Sequence, residues 1–215
     1  MNQFKEAFNK LSQKKQGRIL EAAIDEFAGH GYDSANINNI AQKAGVSVGS
    51  MYKYFDSKED LYLKVVHLGV ETLKAALEDI VTREADLFNR IQMILRAIQT
   101  FSRRYVNLTR LYNEMTTESR SELTWTIVSR MEGVTAELYA SYIKEAQENG
   151  PIRQDIDPKY FAFFLDNLFV QLQFAYACDY YKNRLKMFVG EDALDNDELM
   201  VEQLMKFIRG AFCLQ

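Results

Sequence analysis

Ala41-Gln42-Lys43-Ala44-Gly45-Val46-Ser47-Val48-Gly49-Ser50-Met51-Tyr52-Lys53-Tyr54-Phe55 reads as two short helices joined by Gly-Val-Ser. Ala41 and Ala44 are small enough for a second helix to approach the first closely. Gly45 tolerates the left-handed backbone that so sharp a turn requires, and Ser47 is placed to cap the helix that follows. Val46 and Met51 supply apolar contacts between the two helices. Together these features make a helix-turn-helix. The spacing leaves Val48, Gly49, Ser50, Tyr52, Lys53 and Tyr54 outward on the second helix. That small, polar and aromatic face suits a DNA major groove, where the first turn of such a helix meets base edges.

Working outward, Ile19, Leu20, Ala23, Ile24 and Phe27 recur at helical spacing between Lys14 and His30, and Gly29 and Gly31 are expected to end that helix. Asn36 is a plausible N-cap for the helix carrying Ile37, Ile40, Ala41 and Ala44. Ser57 and Asp60 stand in capping-box spacing before a long helix that begins near Lys58. Helical periodicity then continues near 58–81, 85–106, 109–116, 120–148, 158–187 and 195–213. The clearest break is Asn149-Gly150-Pro151, and Pro158 suits the first turn of the helix it opens. The expected fold is all-α: an N-terminal three-helix helix-turn-helix domain over 1–60, and a larger helical bundle over 61–215.

Composition agrees. The chain has 215 residues, 47% of them hydrophobic and 26% charged, with 2 Pro and 10 Gly, so turn-rich sandwiches, propellers and barrels are disfavoured, as is general disorder. The net charge of -4 hides an asymmetry: five basic residues stand against Glu6 alone between Met1 and Leu20. All the net negative charge lies after residue 62. Two cysteines, Cys178 and Cys213, make no disulfide framework, and the N-terminus has no signal-like apolar segment. A cytoplasmic location is expected.

Beyond these readings, the sequence resembles the tetracycline-repressor (TetR) family of bacterial transcriptional regulators. The resemblance runs from about Gln16 to Leu63. It rests on Arg18-Ile19-Leu20-Glu21-Ala22-Ala23, Phe27, Gly31-Tyr32, Ile37 to Ile40, Ala44-Gly45-Val46-Ser47, Gly49, Met51-Tyr52, Tyr54-Phe55, Ser57-Lys58-Glu59 and Leu61. It implies a homodimer that binds an inverted-repeat operator in double-stranded DNA and is released by a small effector. It places Val48, Gly49 and Ser50 at base edges, with Tyr52, Tyr54 and Lys58 at phosphates and Lys53 on the same face. Asn38 and Lys43 are implied as further groove or backbone contacts, and the basic arm before Arg18 as a phosphate or minor-groove contact.

The second part is rich in aromatic residues, and the helix from Pro158 is apolar on nearly every side. Asp166, Asn167, Gln171 and Gln173 interrupt that run, so burial in a dimerising helical protein explains it better than a membrane span. Tyr160, Phe164, Asn167, Gln171, Phe174, Cys178 and Tyr181 form one stripe, read either as a pocket wall or as a seam against a second copy. Candidate effector contacts are His67, Phe101, Tyr105, Tyr112, Trp125, Phe164, Asn167, Gln171 and Phe174, for an apolar or aromatic ligand. Two histidines, His30 and His67, with no metal-binding spacing and no phosphate-cradling glycine loop give no support for an enzyme, a metal or a cofactor. Two alternatives remain open: a helical interaction module with a vestigial DNA-binding motif, and a regulator sensing oxidants through Cys178 or Cys213.

Overall fold

The computed structural model describes residues 5–83, 86–118, 122–150 and 152–213. Eleven helices account for most of them: α1 (Glu6–Asn9), α2 (Gln13–Ser34), α3 (Ile37–Ala44), α4 (Val48–Tyr54), α5 (Lys58–Arg83), α6 (Leu87–Arg104), α7 (Val106–Glu118), α8 (Glu122–Asn149), α9 (Pro158–Ala177), α10 (Asp179–Val189) and α11 (Asp197–Phe212). Extended pairing among the described residues is an isolated antiparallel bridge between Ile152 and Cys213. The fold is all-α.

Side chains that satisfy free backbone N–H groups fix many of the starts. Asn36 accepts from the Asn38 N–H at 2.8 Å and Ser47 from the Ser50 N–H at 3.1 Å. Asp86, Asp157 and Asn196 do the same for α6, α9 and α11. Caps of this kind contribute about 1 kcal/mol each. Gly45 ends α3 in the left-handed region at φ 66°, as its place in the turn demands. The first long helix does not end at Gly29. It runs to Ser34 with a break at Gly31, where φ is 70° and ψ 170°.

Two main cores result. The first joins Phe8, Ile19, Phe27, Ile40, Met51, Phe55, Leu61 and Val65, and Leu111, Met115 and Val128 from α7 and α8 complete it. The three-helix head is therefore seated on the larger bundle through a shared core. The second joins Ile91, Leu95, Ile98, Ile143, Phe161, Phe169, Met205 and Ile208 from α6, α8, α9 and α11.

The helix expected over 158–187 is two helices. It breaks at Cys178 (φ -105°, ψ 129°), and α9 and α10 meet at 104°. No glycine or proline marks the place. The cause is tertiary: Arg110 Nε on α7 donates to the Ala177 carbonyl at 2.9 Å, the group that a continuing helix would offer to the Tyr181 N–H. No single helix among the described residues is long and apolar enough to cross a membrane.

Candidate nucleic-acid interface and effector cavity

The sharp turn at Gly45 and the Ser47 cap hold α4 across α3, with Met51 buried between them. Its outer surface is open. Val48 is 36% and Tyr52 54% exposed, Lys53 is exposed, and a Cβ built on Gly49 would meet nothing within 4 Å. Ser50 is half-buried, its hydroxyl 2.8 Å from that of Ser47. Tyr54 departs from the expected outward face. Its ring is buried, 6.4 Å from that of Phe8 on α1, and its hydroxyl accepts from Lys15 Nζ at 3.3 Å. The basic arm is likewise folded onto the head: Lys5 Nζ reaches the Tyr52 carbonyl at 3.1 Å and Asp56 at 2.5 Å.

Two of the remaining polar candidates, Lys43 and Lys58, have side-chain partners within the head. Lys43 Nζ bonds Glu26 at 3.1 Å, and Glu26 is only 1% exposed. Asn39 Nδ2 and the Asn36 N–H also donate to that carboxylate, at 2.9 and 3.3 Å. Burial alone would push Glu26 up, but these donors outweigh it and hold its pKa below the ordinary carboxylate value. The buried acid thus ties α2 to α3. Lys58 Nζ donates to the carbonyls of Asp33 and Ala35 at 3.0 and 3.2 Å and lies 4.8 Å from the Tyr32 ring centre. Its charge, set at the start of α5, is seated on the C-terminal carbonyls of α2. Asn38 is exposed.

A cavity of about 120 Å³ lies among α5, α6, α7, α8 and α9. Its wall is mainly apolar: Val65, Val66 and Val70 from α5, Ile94, Ile98 and Phe101 from α6, Leu108, Leu111 and Met115 from α7, and Phe169 and Val170 from α9. Its polar members are Tyr112, Glu132, Thr135, Tyr139, Asp166 and Gln173. Burial, with Glu132 nearby, pushes Asp166 up to about 6. Among the described residues no group of His, Cys, Asp and Glu is arranged to hold a metal ion.

The profile described as bacterial regulatory proteins, tetR family, matches residues 19–65, the span of the head and the start of α5. The transcriptional regulator RutR of Escherichia coli O157:H7 is 31% identical over 163 residues, covering 72% of this chain and 71% of that protein. The chain belongs to the tetR family. The whole fold agrees. The structure of the regulator KstR2 of Mycobacterium tuberculosis matches with TM-score 0.70 at 19% identity, over 96% of this chain and 98% of that one. KstR2 is a transcriptional repressor by name and is 23% identical over 144 residues, 66% of this chain and 72% of that protein. The structure of AibR in complex with isovaleryl coenzyme A and operator DNA matches with TM-score 0.69 at 15% identity, over 91% of this chain and 97% of that one.

In this tetR-family chain, the cavity collects only two of the residues singled out from sequence, Phe101 and Tyr112. The others lie elsewhere. His67 is exposed on α5, between the cavity-lining Val66 and Val70, and Trp125 is 63% exposed. Tyr105 is half-buried at the junction of α6 and α7, and Phe174 packs behind Tyr112 with ring centres 5.7 Å apart. Phe164, Asn167 and Gln171 are exposed, so the α9 stripe is not a pocket wall, and the Asn167 amide is folded back onto the Phe163 carbonyl at 2.7 Å. Asp166, Phe169, Val170 and Gln173, one face over, line the cavity instead. Cys178 is buried, which raises its thiol pKa and lowers its thiolate character, and Cys213 is half-buried.

Proposed function

We propose that this tetR-family regulator is a homodimeric, cytoplasmic repressor that binds an inverted-repeat operator and is released when a small, largely apolar molecule fills the cavity. The observation that carries this reading is that the wall of the cavity and the support of the reading head are the same helices. α5 begins with Lys58 in the head and lines the cavity with Val65, Val66 and Val70; α7 gives Leu111 and Met115 to both the head core and the cavity. AibR is a structural relative solved with a small molecule and operator DNA together, and KstR2 is named a repressor. Residues 1–60 are then the DNA-binding domain and 61–215 the effector and dimerisation domain. On the head, Val48, Gly49 and Ser50 face base edges, with Tyr52, Lys53 and Lys58 toward phosphates and Asn38 and Lys43 beside them. The buried ring of Tyr54 supports the head; its hydroxyl and Lys15 act at its edge.

The second copy has a surface to meet. Tyr160, Phe163 and Phe164 on α9 and Tyr180, Met187, Phe188 and Val189 on α10 are each at least 54% exposed. So many large apolar side chains left exposed on two helices are unusual on a monomer, and pairing α9 and α10 with a second copy about a two-fold axis covers them. Two reading helices then lie about one helical turn, roughly 34–36 Å, or a multiple of it apart.

Selection of genomic fragments by the purified full chain at physiological salt, followed by sequencing, tests the reading. Enrichment of one inverted repeat, bound by two chains, is the expected result. Recovery of DNA with no common sequence, or of none, overturns it.

A further inference from the structure

We propose, resting on the effector reading of the cavity between α5 and α9, that its ligand is an organic cation, a charged nitrogen carried on an apolar body. The cavity contains polar groups that the protein leaves unanswered. Gln173 is 8% exposed and lines the cavity, yet its amide has no hydrogen-bond partner among the described residues; the hydroxyl of Tyr139, 7% exposed, is in the same position. Polar groups in a cavity wall that no protein partner takes up are available to an incoming ligand.

The sign of the missing charge is set by the wall. Among the described residues, Glu132 from α8 and Asp166 from α9 are its carboxylates, and no Lys, Arg or His lines it. Asp166 has no cationic partner among the described residues, and the charge that acts on it is that of Glu132, of its own sign. Glu132 is exposed and accepts from the Tyr112 hydroxyl at 3.5 Å, Asp166 is half-buried, and a cation between the two carboxylates relieves their repulsion. Asp166, Phe169, Val170 and Gln173 follow at three- and four-residue steps on one face of α9. The acid and the amide are thus about 10 Å apart along the helix, with apolar wall between. The aromatic residues Tyr112 and Phe169 belong to the same wall. An anionic ligand gains nothing here. A carboxylate or phosphate set against Glu132 and Asp166 adds a third negative charge.

Calorimetric titration of the full chain with octyltrimethylammonium, 1-octanol, octanoate and octanoyl coenzyme A separates charge from apolar bulk. The cation is expected to bind on the order of tenfold or more tighter than 1-octanol, with octanoate weaker than both. Asp166→Asn and Glu132→Gln are expected to erase the preference for the cation over 1-octanol, and a thermal melt of each ligand-free variant shows that it is folded. Equal binding of the three octyl compounds overturns the cation and leaves the effector cavity standing. Tighter binding of octanoyl coenzyme A or octanoate overturns it in favour of an anionic effector. Binding of none, by calorimetry and by operator affinity, overturns the effector reading itself.

Discussion

The family resemblance implies phosphate contacts at both Tyr52 and Lys58, and the structure gives the two residues different settings. Tyr52 is exposed and neutral, whereas Lys58 is charged and already bonded to two carbonyls at the end of α2. Tyr52→Ala is expected to weaken binding to every DNA sequence with an unchanged slope of log affinity against log salt. Lys58→Ala is expected to lower that slope by about one per head and also to cost about 1–2 kcal/mol of stability. Filter-binding titrations across a salt series, with a thermal melt of each variant, decide this; an unchanged slope for Lys58→Ala removes it from the phosphates. Glu26 makes a second residue-scale case. Its pKa is lowered by folding, so the stability it brings is present above its unfolded value, about 4.3, and is lost as pH falls through the lower folded value. Glu26→Gln is expected to cost about 1–3 kcal/mol at pH 7, and the difference from wild type is expected to shrink in acid, as read from urea midpoints. A pH-independent difference would show that the carboxylate charge is not what holds α3. Asp166 runs the other way. Its raised pKa makes the protonated form the favoured one in the fold, so it erodes stability as pH rises toward and through about 6. The titratable groups facing it are Glu132 and Tyr139 from α8 and Tyr112 from α7.

At the scale of elements, what sequence made legible follows local chemistry. The Asn36 and Ser47 caps, the left-handed Gly45 and the Pro158 start need only neighbouring residues, and each is where the sequence puts it. The break at Cys178 is set by Arg110, 67 positions before the carbonyl it takes, and leaves no local mark. The side of α9 that lines the cavity is not legible for a related reason. A helix apolar all round has no period that says which side meets a cavity, so the sequence does not single out Asp166 and Gln173 over Asn167 and Gln171. Tyr54 was legible in principle, three residues from Met51 on the same face, but α1, which covers it through Phe8, has too few residues to show a period. Gly31 breaks the helix where the sequence expects an end, and a short helical stretch to Ser34 follows it. At φ 70° it takes a backbone that other residues adopt at a cost, and a Cβ there would stand 3.0 Å from Glu114 Oε1. Gly31→Ala is expected to cost about 1–3 kcal/mol, seen as a lowered melting temperature. An unchanged melt would mean that the break relaxes into continuous helix without loss.

For the whole molecule, the question is how a filled cavity changes the head. α5 runs from the head into the cavity wall, and α7 joins the two as well. That helix walls the cavity with Leu108, Leu111, Tyr112 and Met115, while its Glu114 accepts from the Tyr32 N–H at 3.2 Å and its Asn107 donates to Asp25 at 2.7 Å. Both bonds land on α2, one of them beside the Gly31 break. A ligand that displaces Tyr112 or Met115 therefore pulls on the seat of the head. Coupling is reciprocal: if the ligand weakens operator binding by some factor, the operator weakens ligand binding by the same one, typically 5–150-fold. The Asn107→Ala, Glu114→Ala double variant is expected to bring that factor toward one while the DNA-free protein binds ligand as before, because neither residue lines the cavity. Titrating ligand with and without operator, and operator with and without ligand, measures the factor twice. If the variant keeps the full factor in both directions, the signal runs through α5 alone, and the bonds from α7 to α2 do no more than hold the head in place.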